Sequence, residues 1–298
     1  MTFKQRKLRV KITLSRGAFS GKENDTLEVS GLAVSATVDE FPFGNKKAMI
    51  TIRGLSVSDM ARMTTLSSIP VGNIWERNQI TLTVDEPDGT TTIIFHGYIF
   101  QSVANFNAAP DIPMQIYAEA YFFQKMTVPN GGMAFPGGTP VADVMQVLAF
   151  KGGWGFRNHG VTKVTRDLSL NGNLFDMLRQ VSQSENINFF VEADILHIVN
   201  FDWSRTDVVD EEISTKTGLV GYPIVTEFGC TVQCVFSLKY RMQMRVDVDF
   251  PEVPIASGMM TVNSLTHRLD TELTNGAWFT FMDLQRTAED VSRILSGG

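Results

Sequence analysis

Between Tyr240 and Phe250 the chain alternates without a break. Tyr240, Met242, Met244, Val246, Val248 and Phe250 fall on one side, and Arg241, Gln243, Arg245, Asp247 and Asp249 on the other. Successive side chains of an extended chain point to opposite faces, so a run of this length predicts a half-buried strand of an antiparallel sheet. Just upstream, Phe228, Cys230, Val232, Cys234 and Phe236 alternate with Gly229, Thr231, Gln233, Val235 and Ser237, which predicts another. Before both, Thr217-Gly218-Leu219-Val220-Gly221-Tyr222-Pro223 has the residues of a compact turn. One face of each strand enters a core; the other meets water or a partner of mixed charge.

The rest of the chain repeats this theme with a helical interruption. Leu8, Val10, Ile12 and Leu14 point inward from a first strand whose outer face carries Lys7, Arg9, Lys11 and Thr13. Leu27 to Glu40 reads as a second strand bent at Gly31, and Phe43-Gly44-Asn45-Lys46 turns the chain into a strand from Ala48 to Arg53. Ser56-Val57-Ser58-Asp59 fits a capping box and predicts a short helix with Val57, Met60 and Ala61 on its inner side. Gln79–Asp85 and Thr91–Phe100 flank Glu86-Pro87-Asp88-Gly89-Thr90, a hairpin signal, and Met114–Phe122 adds a strand. Six or so strands around one short helix predict a small barrel or a strongly curved sheet.

The pattern changes at Val128, where Pro129 to Gly138 is a linker by composition. Thr139 then offers an N-cap and Pro140 the first helical position, with Val141, Val144, Met145 and Leu148 as one apolar stripe. A second helix is predicted from Asn173 to Ser184 with Leu174, Leu178 and Val181 inward, and Asn188–Val191 pairs with Ile195–Phe201. From Thr206 the chain is β-rich again, with strands expected over Gly258–Asp270 and Trp278–Asp283 and a short helix over Glu289–Gly298. The expected fold is mainly β with an α+β insert. Its divisions are a β-barrel domain over 1–127, the insert over 128–205, and a second barrel over 206–298.

Composition narrows the function. The chain has 298 residues and a net charge of −6, which argues against duplex nucleic acid, because such binding draws its affinity from phosphate neutralisation. The basic residues near the N-terminus (Lys4, Arg6, Lys7, Arg9, Lys11, Arg16) read as a solvated strand face. No run of about 18 apolar residues predicts a membrane helix, and the start lacks the apolar stretch of a signal peptide. Cys230 and Cys234 project to the same side of one strand, about 13 Å apart, too far for a disulfide. They read as reduced core residues of a protein made in the cytoplasm.

Catalytic motifs are missing from the sequence. His96, His159, His197 and His267 have no metal-ligand spacing, no Gly-x-Ser-x-Gly elbow occurs, and the cysteines are expected to be inert on an apolar face. Gly152-Gly153-Trp154-Gly155 follows a helix, whereas a phosphate loop opens one. Candidate carboxylate pairs at Asp39/Glu40, at Asp85 with Glu86 and Asp88, and at Asp210 with Glu211 and Glu212 lie at strand ends and turns. No catalytic, cofactor or metal site is expected. The paired methionines (Met60/Met63, Met242/Met244, Met259/Met260) read as core filling or as adaptable surface between subunits.

Three segments in this order resemble the baseplate hub proteins of contractile-tailed bacteriophages. They are Ala48-Met49-Ile50-Thr51-Ile52-Arg53-Gly54-Leu55-Ser56, then the helix start at Thr139–Val144 with the Leu174–Val199 helix and hairpin. Last come Thr217–Pro223, Val246-Asp247-Val248 and Leu265–Thr271 before Trp278. The resemblance implies a homotrimer with two tube-like barrels per chain, joining a six-fold tail tube to a trimeric spike around a channel. Its implied partners are the tail tube protein, the spike and other baseplate proteins, and its place is the virion. Contact residues are expected at Leu219, Tyr222 and Pro223. Arg241 and Arg245, on the mixed-charge face, line the channel or meet a neighbour. The rival readings are a tail-associated cell-wall hydrolase and a soluble carbohydrate-binding β protein.

Overall fold

Strand β1 (Leu8–Thr13) buries Leu8, Val10 and Ile12 and turns Arg9 and Lys11 to solvent, as its period requires. In the computed structural model, which describes residues 7–15, 25–64, 77–85, 89–127 and 132–287, β1 lies between β2 (Thr26–Val29) and a later strand of its sheet. The stretch from Leu27 to Glu40 is two strands, not one. β2 ends at Val29 and β3 (Val34–Phe41) begins after Gly31, whose φ of +72° suits a residue without Cβ. β4 (Asn45–Ile52) follows.

Helix α1 (Val57–Met63) is capped by Ser56, whose Oγ accepts the Asp59 N–H at 3.1 Å and donates to the Asp59 carboxylate at 2.8 Å. It buries Met60 and Met63, while Val57 and Ala61 are exposed. The inner face is therefore set by the i, i+3 methionines. The Ser102 hydroxyl donates to the Met63 carbonyl and ties the helix down. Then come β5 (Gln79–Asp85), β6 (Thr91–Ala104), β7 (Met114–Glu119) and α2 (Phe122–Met126). Residues 86–88 of the expected hairpin turn lie outside the described residues, as do residues 128–131 at the start of the expected linker.

The chain divides into two compact units. The first takes Met1–Asp39, Lys46–Phe123 and His267–Trp278. Its strands follow the order β3-β4-β7-β6-β5-β1-β2, antiparallel where paired, around buried Ile12, Ile50, Ile80, Leu82 and Ile116. Each such side chain contributes about 1.5–3 kcal/mol of burial.

The second unit takes Glu40–Asn45, Gln124–Thr266 and Phe279–Gly298. It opens with β8 (Met133–Phe135) inside the expected linker, paired with β10 (Leu168–Leu170). Helix α3 (Val141–Lys151) buries the stripe of Val141, Val144, Met145 and Leu148. Pro140, not Thr139, is its N-cap, because the Thr139 hydroxyl donates to the Pro136 carbonyl at 2.7 Å. Helix α4 (Leu174–Glu185) starts from a complete capping box between Asn173 and Asp176. β9 (Gly155–Asn158), β11 (Ile187–Glu192) and β12 (Ile195–Asn200) form a small sheet in the order β11-β12-β9.

The remaining strands are β13 (Glu211–Ser214), β14 (Ile224–Val225), β15 (Gly229–Val235), β16 (Arg245–Asp249), β17 (Gly258–Thr271) and β18 (Trp278–Gln285). Their order is β14-β15-β18-β17, with β16 pairing β17 and β13 pairing β16 in parallel. From His267 onward β17 counts with the first unit, where β3 is its neighbour in the strand order. The core holds Ile213, Leu219, Cys230, Cys234, Met242, Met244, Met260 and Met282, so these methionines are core filling. The expected helix at 289–298 lies outside the described residues.

Tyr240–Phe250 is not one strand. Only Arg245–Asp249 pairs; residues 240–244 form an irregular turn with Gln243 at φ +58°. The apolar members are buried as the alternation predicts, but Gln243 and Arg245 are buried too. Opposing ion pairs explain how charge enters this region.

Candidate functional site

The Thr217–Pro223 loop is held by its own backbone. Leu219 N–H donates to the Ser214 carbonyl at 2.9 Å, Val220 N–H to Gln233 at 2.7 Å, and Val235 N–H to Gly218 at 2.8 Å. Gly218 and Gly221 sit at φ +116° and +75°, where a side chain would be strained. Leu219 is only 7% exposed and belongs to the core, and Pro223 is buried with it. Tyr222 is 74% exposed, and its ring meets Phe250 edge to face at 5.4 Å.

Tyr222 is followed by an apolar surface. Ile224, Val225, Phe228 and Ile255 are all exposed, and β14 stands at the end of the strand order, with one side unpaired among the described residues. An edge strand offers free N–H and C=O groups to another chain. The alternation put Phe228 on the inward face with Cys230 and Val232, but it stands one residue before β15 and is exposed.

The arginines separate in the same way. Arg241 is half exposed and donates to Glu192 at 3.0 Å; Arg245 is almost enclosed, with its guanidinium 3.7 Å from Asp210. Leu219, Tyr222 and Pro223 thus share one loop, while Arg241 faces the Glu192 end of β11.

A buried polar network, unread from the sequence, joins Arg241 through Glu192 to the sheet of β9, β11 and β12. Arg205, with a 2% exposed side chain, donates from Nε to Asp207 at 2.6 Å and from Nη1 to Glu192 at 2.9 Å. Its guanidinium lies 5.1 Å over the Phe190 ring. Burial pushes the Arg205 pKa down, but the two carboxylates outweigh it and leave it raised; burial likewise pushes Glu192 up, and Arg205 and Arg241 bring it below the usual range. Hydrogen bonds from Arg205 and Arg157 hold Asp207 well below it. Removing one member leaves a buried charge without its partner.

His159 and His197, 38 residues apart, meet here with Nε2 and Nδ1 at 2.9 Å. Parallel pairing of β9 with β12 brings them together. The Thr206 N–H donates to His159 Nδ1, so the His159 proton sits on Nε2 and is given to His197. Burial, then the nearby Arg205 charge, pushes His197 down to about 4. His197 within the apolar run Ile195-Leu196-His197-Ile198-Val199 was the one available sequence signal.

With Asp207, the histidines place three possible ligand atoms within 4.8 Å. The donor set does not suit a cation. Both Asp207 oxygens already accept guanidinium N–H groups, and the His159 nitrogen facing its partner carries a proton. The cysteines are free and buried, their thiols pushed up to about 11 by burial. Of the carboxylates singled out at turns, Asp85 pairs with Arg9 and Glu211 with Lys239.

A family model described as baseplate hub gp41 matches residues 5–273. The chain belongs to the baseplate hub gp41 family. That makes it a structural protein of the phage tail and baseplate, and so a virion component. No curated protein sequence matches the chain. Among solved structures it is similar to a tail protein from Neisseria meningitidis MC58, with TM-score 0.62, 10% identity, and 93% and 96% of the two chains covered. The 43 kDa tail protein of prophage MuSo2 from Shewanella oneidensis aligns with TM-score 0.59 and 9% identity, covering 94% of this hub protein and 97% of that chain. An Escherichia coli component of the type VI secretion system aligns with TM-score 0.56 and 10% identity over 95% and 78%. That protein is described as structurally similar to the T4 bacteriophage tail proteins gp27 and gp5. At these identities the likeness establishes the shared fold of tail proteins, mainly β with few helices. Among the described residues of this baseplate hub protein, no helix is long and apolar enough to cross a membrane.

Proposed function

We propose that three copies of this chain form a ring that joins the six-fold tail tube to a trimeric spike and surrounds a channel. The family match over residues 5–273 carries the reading. Two tube-like regions per chain, 1–127 and 206–298 around an insert at 128–205, give six barrel positions in a trimer. A three-fold object then meets a six-fold tube without mismatch.

Closure of a ring requires one patch on each copy to meet a different patch on the next. The exposed apolar surface from Tyr222 through Ile224, Val225 and Phe228 supports a contact at the β14 edge. Tyr222 and Arg241 touch the neighbour in this reading, and Leu219, Pro223 and Arg245 hold the loop and turn in shape from behind. The hub works by shape, transmitting the position of the tube to the spike.

Mass measurement of the purified full-length chain, alone and with its spike protein, tests this. A trimer in either sample is expected, and Ile224→Asp should shift the population toward monomer by placing a charge on the edge. Monomer in both samples at high concentration overturns the reading.

A further inference from the structure

The second unit contains a cleft of about 260 Å³ that no part of the hub reading uses. Its lining is nearly uncharged. Asn188, Gln243, Asn263 and Gln285 contribute amides, Thr261 and Thr287 hydroxyls, and Phe43 and Phe201 ring surface. The charged members are Asp202, exposed to solvent, and Arg286, whose Nη2 donates to the carbonyls of Ile255 and Ser257 at 3.0 and 2.8 Å.

Three observations mark this as a built site. Thr261 is 3% exposed, and its Oγ1 has no hydrogen-bond partner among the described residues. Leaving a buried hydroxyl unpaired costs about 1–3 kcal/mol, so a group that completes it has a place to gain affinity. Gln243, 4% exposed, is fixed in the left-handed region at φ +58°. Its N–H donates to the Val262 carbonyl at 2.9 Å and its carbonyl accepts from the Arg205 N–H at 2.8 Å, so the side-chain amide is what it offers the cleft. Phe43, on the same lining, is also left-handed at φ +62° and is steadied edge to face on Phe189 at 5.6 Å. Residues other than glycine held in this region cluster where a ligand is clamped.

The chemistry selects the ligand class. An amide presents donor and acceptor together, as does a hydroxyl, and the partner matching such a set is itself a cluster of hydroxyls. Ring surface beside them suits the C–H face of a sugar. An ionic ligand would meet only an exposed carboxylate and a guanidinium engaged with carbonyls. The volume holds one ring and not a chain. We propose that this cleft binds a single neutral pyranose unit, with Thr261 and the lining amides holding its hydroxyls and Phe201 covering one face. The proposal is independent of ring assembly, since every lining residue belongs to one chain.

Titration of the full-length protein with N-acetylglucosamine and with its β-1,4-linked dimer, followed by saturation-transfer NMR, tests it. Binding with a dissociation constant of about 1–10 mM is expected, the range of a small ligand making few contacts. Thr261→Val and Asn263→Ala should each weaken it by about tenfold or more. Thr261→Val should leave the unfolding midpoint unchanged or raised, because it removes an unpaired hydroxyl, and this separates lost binding from lost folding. Thr83→Val, on β5 in the first unit and outside the lining, should bind as the parent does. Absence of transfer at about 100 mM sugar, more than ten times the expected constant, overturns the proposal. So does binding that both lining variants leave unaltered, or acetylated trialanine occupying the cleft in place of sugar.

Discussion

Arg9 on β1 and Arg205 beside the β12 hairpin each grip an aspartate, and their surroundings could hardly differ more. Arg9 is 59% exposed and lies 2.8 Å from Asp85. Arg205 is 2% exposed, with two carboxylates, an aromatic ring and the Met242 carbonyl around it. In the first unit charge sits on the outer face of a regular sheet, where water already solvates it. In the second unit charge fastens irregular chain segments whose backbone lacks ladder partners. Sheet geometry holds the one; a desolvated ion network holds the other.

The contrast is broken most directly at Arg205. Replacement by Ala leaves Glu192 and Asp207 without their main counter-charge, removes the packing on Phe190, and should cost about 3–5 kcal/mol. Urea denaturation of the full chain reads it. A loss below about 1 kcal/mol, the range of an exposed pair, would mean that water has replaced the guanidinium and that the network holds nothing.

Acid should distinguish the units next. His197 is held neutral in the fold down to about 4, below the ordinary 6.5 of an imidazole. Between those values the unfolded chain binds a proton that the folded chain refuses. Stability is therefore complete above pH 6.5 and drains away as pH falls toward 4. Glu192, Asp207 and Asp85 are all depressed, so their contributions are lost only at lower pH. The urea midpoint should fall from about pH 7 to about 4.5, and His197→Gln should flatten that fall. Equal slopes in parent and variant would remove the histidine pair from the account.

The same contrast explains what could be read in advance. β1, β4 and β5 were legible because each polar residue of an alternating strand meets water, so sidedness and burial coincide. The Ser56 cap was legible because Ser56 and Asp59 lie within four residues. Tyr240–Phe250 misled because Gln243 and Arg245 alternate like surface residues, while the groups that admit them inside lie far off in the sequence. Asp210 faces Arg245, and the Arg205 N–H caps the Gln243 carbonyl. Glu192, Arg205 and His159 are brought together by pairing of β9, β11 and β12, which no local spacing encodes. Of the loop at Leu219–Pro223, the turn was visible, but not that Tyr222 alone of its three marked residues would face outward.

The smallest effect should come from Arg9→Ala. Its partner Asp85 is also hydrogen-bonded by the Thr91 hydroxyl at 3.0 Å, so the carboxylate keeps one donor when the arginine goes. The arginine itself, largely in water, loses little solvation in forming the pair, and salt screens what attraction remains. The expected loss is about 0.2–1 kcal/mol, shrinking further at high salt. Strand β1 should not loosen, because Leu8, Val10 and Ile12 stay buried and its pairing to β2 and β5 uses backbone groups alone. Hydrogen exchange of the β1 amides provides the reading. Protection equal to the parent's fits a sheet that charge merely decorates, whereas exchange as fast as in the Arg205→Ala network would erase the distinction between the two arginines.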